Sequence, residues 1–175
     1  MFMKIILIGY MGSGKSTVGK PLSEKLNYPY KDLDTEIEHR EGKPIASIFA
    51  EKGEIYFRKK EAIVLQEILS EKSNMVLATG GGTPCYGTVM DDLNKAENVI
   101  TVYLKASVEE LTARLFPEKE TRPLIAHLKA EEDLKDFVRK HLFERAHVYN
   151  KADFVIHTDG LHTSKITEKL ISHLF

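Results

Sequence analysis

The sequence predicts an α/β layered fold built on parallel strands. Short apolar runs alternate with amphipathic helical patterns along the whole chain, and the first run stops at a glycine-rich turn that opens a helix. Strands separated by helices run parallel, because each crossover returns the chain to the same end of the sheet. No internal repeat or low-complexity tract interrupts this alternation.

Each element has its own signal. Lys4 to Gly9 is an apolar β-type run ending in glycine. From Ser16 to Leu26, Val18, Leu22 and Leu26 recur at helical spacing, with Pro21 removing a backbone donor and predicting a kink. Tyr28 to Leu33 is a second strand candidate. Glu54 to Lys72 reads as a long amphipathic helix, with Ile55, Ala62, Leu65, Ile68 and Leu69 on or near one face. Met75 to Ala78 is a strand running into Gly80-Gly81-Gly82, and Val99 to Leu104 is the clearest buried strand. Val108 to Leu115 and Glu132 to Tyr149 read as helices, Phe154 to His157 as the last strand, and Ser164 to Leu174 as a closing helix. Between them, Phe116 to Lys129 is irregular, charged and proline-bearing. It reads as a mobile lid rather than a linker, because regular patterns resume after it.

Bulk properties narrow the function. A chain of 175 residues fits one domain, residues 1–175 with a lid at about 116–129, and is long enough for a real core. Its 42% hydrophobic and 29% charged residues are ordinary for a soluble globular protein. A net charge of -1 lacks the basic excess of a nucleic-acid binder, so the cations that matter are local and aimed at a small anion. No apolar run is long enough to span a membrane, and no signal peptide is expected. Cys85 is the single cysteine, which rules out an intrachain disulfide and fits a reducing cytosol. A cytoplasmic monomer is the expectation. The 7 histidines show no close helical pair, so no zinc site is read.

Gly9-Tyr10-Met11-Gly12-Ser13-Gly14-Lys15-Ser16 matches G-x-x-x-x-G-K-S/T in full, between an apolar run and a helical pattern. Backbone N–H groups of such a loop curl around phosphate, Lys15 neutralises β/γ oxygens, and the Ser16 hydroxyl suits Mg²⁺. Gly12, Ser13, Gly14, Lys15, Ser16 and Thr17 are the expected nucleotide-binding run. Asn150-Lys151-Ala152-Asp153 fits the guanine-reading pattern N-K-x-D, but it precedes a strand instead of leaving one and no D-x-x-G switch occurs, so it reads as coincidence.

On the acceptor side, Asp32 and Asp34 stand two residues apart at a strand end. There one carboxylate can hold Mg²⁺ and the other can accept a hydroxyl proton; the plainer alternative is an N-cap pair for the next helix. Arg58 opens a long helix, and Gly80-Gly81-Gly82 lets backbone approach a ligand closely.

Taken together, these motifs resemble the shikimate kinase family of nucleoside-monophosphate-kinase-like P-loop proteins, over essentially the whole chain. The family's G-x-M-G-x-G-K-S/T, D-x-D, F-R-x-x-E, A-T-G-G-G, R-P-L and E-R-x-x-x-Y stand here, in order, as Gly9 to Ser16, Asp32 to Asp34, Phe57 to Glu61, Ala78 to Gly82, Arg122 to Leu124 and Glu144 to Tyr149. The resemblance implies a three-layer α/β/α fold around a five-stranded parallel sheet, the P-loop kinase fold with a lid. It implies ATP and Mg²⁺ as cofactors and shikimate as the partner molecule. Asp34 would bind the shikimate hydroxyls and act as base, with Lys15 and Arg122 acting on the transferring phosphate. Arg58, Arg145 and the backbone of Gly80 and Gly81 would hold the substrate. Ser16 and Asp32 would hold the metal, and Arg114 would lie against adenine.

Three departures stand out. The last motif lacks the proline of many relatives, leaving Arg139 as the fallback for Arg145; Pro21 sits inside a helix; and Phe116-Pro117-Glu118-Lys119-Glu120 makes the lid acidic and bulky. A gluconate-type kinase on the same scaffold and a catalytically idle nucleotide-binding module are the rival readings. Retention of Lys15, Ser16, Asp32 and Asp34 argues against the idle module, and the aspartate pair with the triple glycine argues against the gluconate enzyme.

Overall fold

The computed structural model of the chain describes residues 2–175. Among the described residues the strands are β1 (Lys4–Ile8), β2 (Tyr30–Asp32), β3 (Met75–Ala78), β4 (Val99–Lys105) and β5 (Phe154–His157). They form one 5-stranded sheet in the order β2-β3-β1-β4-β5, every neighbouring pair parallel. The helices are α1 (Lys15–Leu26), α2 (Leu33–Glu41), α3 (Ile45–Ser70), α4 (Val89–Lys95), α5 (Val108–Leu115), α6 (Glu131–Tyr149) and α7 (Thr163–Leu174).

The central strand explains the three layers. Ile5, Ile6, Leu7 and Ile8 are all 0% exposed, so β1 is a continuous apolar run rather than an alternating one. Side chains of a strand still point alternately to opposite faces. Ile5 and Leu7 pack with Val18 and Leu22 of α1 and Ile166 and Leu170 of α7. Ile6 and Ile8 join the other core, with Phe57, Leu65, Leu111 and Leu134 from α3, α5 and α6. The register pairs Leu7 with Ala78 and Asp32 with Ala78. The phosphate loop, the aspartates and the glycine run therefore leave the sheet at one carboxyl edge, where α/β sheets bind ligands.

The helix α1 runs from Lys15 to Leu26 with Pro21 inside it. Other expectations need correction. The second strand ends at Asp32, because Leu33 already opens α2, whose inward face carries only Leu33 and Ile37 and gives little periodicity to read. The segment α3 is two helices, one from Ile45 and one opening at Glu54 as the pattern predicts, joined across a kink at Gly53, whose φ of 79° and ψ of 172° lie where only glycine is at ease. Ile48, Phe57, Val64, Leu65 and Ile68 are buried, whereas Ile55, expected on that face, is 69% exposed. The short helix α4 had no sequence signal. In the segment after α5, Phe116–Thr121 form a 3₁₀ turn, and Ile125 is 0% exposed within the larger core, an apolar anchor where few were expected. No helix among the described residues is long and apolar enough to cross a membrane.

The N-K-x-D match is structural. Asn150 ends α6, Lys151 pairs with Asp91 at 2.9 Å, and the Asp153 carboxylate accepts from the Thr101 N–H and hydroxyl, both at 2.8 Å. Asp153 thereby fixes the chain between α6 and β5, a structural role.

Candidate active site

The phosphate loop joins β1 to α1 and forms one wall of an open cavity of about 720 Å³. Gly9 has φ 149°, and a Cβ there would lie 2.8 Å from the Leu104 carbonyl oxygen, so the loop can turn this close to β4 only with glycine. Lys15 is held by its own loop: its Nζ donates to the carbonyls of Gly9 at 2.8 Å and Tyr10 at 2.9 Å. Burial pushes this ammonium down to about 8, while Asp34 and Asp32 act to keep it charged. Gly12, Ser13, Gly14, Ser16 and Thr17 line the same cavity, as the motif requires.

The two aspartates divide their work. Asp32 Oδ1 accepts from the N–H groups of Asp34 at 3.1 Å and Thr35 at 3.2 Å and so caps α2. Its Oδ2 accepts from Ser16 Oγ at 3.0 Å. Capping of α2 and a bond to the phosphate-loop serine thus coexist on one residue. Asp34 faces the cavity with no capping duty, and burial, then the charges of Asp32 and Glu61, push its carboxyl up to about 6. That still leaves it ionised at neutral pH.

Beyond Asp34, Gly80 and Gly81 bring backbone to the cavity wall. A Cβ at Gly80 would lie 3.2 Å from Asp34 Oδ1, and one at Gly81 3.2 Å from Met11 N, so the glycine run is wedged between the acid and the phosphate loop. Arg58 stands behind the run, with Nη2 only 2.4 Å from where a Gly82 Cβ would be. Glu61, 3% exposed, holds Arg58 Nη1 at 2.8 Å through one oxygen and accepts from Thr83 Oγ1 at 2.8 Å through the other. This is a buried pair with both oxygens satisfied, which fixes the guanidinium plane. The phenyl ring of Phe57 lies 5.4 Å from the same guanidinium carbon.

The remaining cations come from α5, α6 and the segment between them. Arg114 on α5 donates to the Gly12 carbonyl at 3.2 Å and pairs with Glu110 at 2.9 Å. It lines the cavity together with Leu161 and Ile166, which supply an apolar slot beside it. Arg122 also lines this cavity and pairs with Glu118 at 3.0 Å, leaving a buried Nε–H without a partner. The segment carrying it therefore borders the same cavity as the phosphate loop. Arg145 and Arg139 are separated cleanly. Arg139 pairs with Asp136 at 2.5 Å and its side chain is 53% exposed. Arg145 is half-buried and its charge bears on Lys15, Tyr10 and Cys85, the last of which also senses Arg58. Arg58 and Arg145 therefore both lie within electrostatic reach of Cys85, and Arg139 points to solvent. Burial pushes the Cys85 thiol up, so it is a packed thiol rather than a nucleophile.

Comparison with known proteins agrees with this geometry. The family model for shikimate kinase matches residues 11–175. A curated shikimate kinase of Flavobacterium psychrophilum is 44% identical over 172 residues, covering 98% of this chain and 99% of that protein. The chain belongs to the shikimate kinase family. Among solved structures, the shikimate kinase of Bacteroides thetaiotaomicron aligns with TM-score 0.89 and 35% identity over 98% of both chains. The Acinetobacter baumannii shikimate kinase, solved in complex with shikimate, aligns with TM-score 0.87 and 34% identity, covering 99% of this chain and 93% of that one.

Sequence reasoning missed the residues that hold others in place. Glu61 stood in the F-R-x-x-E pattern without a role, and its spacing of three from Arg58 was the available signal. Thr83, Leu161 and Ile166 carried no signal at all, because their contacts are made only when distant segments meet.

Proposed function

We propose that this chain transfers the γ-phosphoryl group of ATP to the 3-hydroxyl of shikimate, giving shikimate 3-phosphate for aromatic amino-acid synthesis. The observation that carries the reading is a single cavity lined by the phosphate loop, by Asp34 with its raised but still ionised carboxyl, and by the backbone of Gly80 and Gly81, with Arg58 packed behind that glycine run. Arg58 and Arg145 suit a carboxylate, since a planar fork pairs with its two oxygens. Asp34 shares the cavity wall with Lys15, where it can orient a hydroxyl and take its proton as the bond to phosphorus forms. The backbone of Gly80 and Gly81 packs against the substrate, and Arg114 with Leu161 and Ile166 holds the base of the nucleotide.

A divalent cation fits the Ser16–Asp32 corner, where hydroxyl and carboxylate oxygens stand 3.0 Å apart at the cavity wall. Among the described residues no cluster of three His, Cys, Asp or Glu could cage an ion, which suits Mg²⁺, an ion that keeps water and phosphate ligands. Bound there, Mg²⁺ would neutralise charge on the phosphate oxygens. Lys15 and Arg122 hold the same oxygens from the protein side. Ile125 pins the far part of the 116–129 segment into the core, so closure over the site belongs to the stretch before it, which carries Arg122.

The test is a coupled ADP-release assay with shikimate, with gluconate and with no acceptor. Turnover is expected with shikimate alone. Comparable turnover with gluconate, or ADP release that needs no acceptor, overturns the reading.

A further inference from the structure

His141, Arg145 and Tyr149 follow one another at four-residue intervals and so form a stripe along one face of α6. The stripe is tied at both ends. At its end the Tyr149 hydroxyl donates to the Gly81 carbonyl at 2.5 Å, which fixes α6 to the glycine run. At its start the Tyr10 hydroxyl lies 2.9 Å from His141 Nδ1, and the two rings meet edge to face with centroids 5.4 Å apart. Phe137 meets the His141 ring edge to face at 5.3 Å, so the imidazole is held in place.

Tyr10 is unusual for where it stands. It belongs to the phosphate loop, yet it is 1% exposed and points into the apolar core shared by Leu115, Leu134 and Val138. The loop grips phosphate and Lys15 through its backbone, and the Tyr10 carbonyl accepts from Lys15 at 2.9 Å. Nothing in that work requires a phenol. A phenolic O–H buried among apolar groups costs about 1–3 kcal/mol if unpaired, so its place makes sense only with the imidazole opposite. Burial pushes the phenol up and the imidazole down, which keeps both neutral. With the ring proton on Nε2, the phenol O–H donates to Nδ1.

We propose that Tyr10 and His141 are a positioning pair that ties α6 to the phosphate loop and thereby sets where Arg145 meets the acceptor carboxylate. The inference rests on reading Arg145 as part of the carboxylate grip. Arg145 sits midway between the two ties, one helical turn from each, and its charge bears on Tyr10 and Tyr149 alike. Loosening the first tie leaves the guanidinium free to swing with α6 while the phosphate loop keeps its backbone cradle. The loop that holds phosphate and the helix that holds the acceptor then no longer move as one unit.

Calorimetric titrations with shikimate and, separately, with a non-hydrolysable ATP analogue test this on the full chain. Tyr10→Phe and His141→Leu should each weaken shikimate binding about 3- to 10-fold, the span of one lost neutral hydrogen bond. The double variant should be no weaker than the worse single one, because both remove the same contact. Nucleotide affinity without shikimate should stay within about twofold. His141→Asn, whose Oδ1 can accept the same O–H, should recover most of the loss. Additive losses, equal weakening of nucleotide and shikimate, or unchanged shikimate affinity with only a lower Tm would each overturn the pair. Arg145→Ala in the same titration separates the two levels. If it binds shikimate as tightly as wild type, the grip reading falls and takes the pair with it. If it binds weakly while Tyr10→Phe does not, the pair alone falls.

Discussion

Asp34→Asn should make the enzyme slower and, at neutral pH, more stable. In the folded protein burial, then Asp32 and Glu61, move the Asp34 carboxyl from 3.8 up to about 6. The folded state therefore holds this proton more tightly than the unfolded chain. The associated stability is fully present below 3.8 and is lost as pH rises through about 6. A shift of about 2 units is worth about 3 kcal/mol in full, of which about 1.4 kcal/mol falls between about pH 5 and pH 7.5. Water in the open cavity screens part of this, so about 1 kcal/mol is the expected reading. Asparagine has no such titration. Urea denaturation of both proteins across that pH range should show the stability gap moving by about 1 kcal/mol in favour of the variant as pH rises. Turnover of the variant should fall about 10²-fold or more, and kcat/KM of the wild type should decline below about pH 6. A gap independent of pH would refute the burial argument, and turnover within a few-fold of wild type would remove Asp34 as the base.

The other predictions concern the cations. Arg58→Ala and Arg145→Ala should each weaken shikimate binding by about 1.5–3 kcal/mol while leaving ATP affinity nearly unchanged, whereas Arg139→Ala, already paired with Asp136, should change neither. The reverse outcome for Arg139 and Arg145 would show that α6 presents a different residue to the acceptor. Gly82→Ala places a Cβ 2.4 Å from Arg58 Nη2, and because a side-chain end yields more easily than backbone, the fold should survive. Its signature is a shikimate KM raised about 10-fold with Tm little changed, about the loss of one charged hydrogen bond; an unaltered KM would show that Arg58 does not need its place behind the glycine run. Arg122→Ala should lower kcat about 10²-fold and KM for ATP far less, since its contact is made chiefly in the transition state. A normal kcat would end its assignment to the transferring phosphate.

Much of the fold was legible because its signals are local. The runs Met75 to Ala78, Val108 to Leu115 and Phe154 to His157 read from the sequence with the bounds they have in three dimensions. The phosphate loop announced itself because glycines and lysine must stand at set spacings for a backbone to wrap phosphate. What failed was whatever depended on one backbone angle or on a distant partner. The helix from Ile45 went unread ahead of the kink at Gly53, and Ile55, expected on the buried face, stands in solvent. Leu33 looked like the end of a strand until the Asp32 carboxylate was seen capping α2.

The sequence alone determined the order of the motifs, the identity of the phosphate-binding groups and the parallel arrangement of strands, all set by spacing and hydrophobic period. Only the tertiary structure decided which arginine of α6 is half-buried and which is exposed, which oxygen of Asp32 caps α2 and which meets Ser16, and that Glu61 and Thr83 hold Arg58 in position. Those choices turn on direction and burial, and a side chain acquires both only when segments far apart in the chain pack against each other.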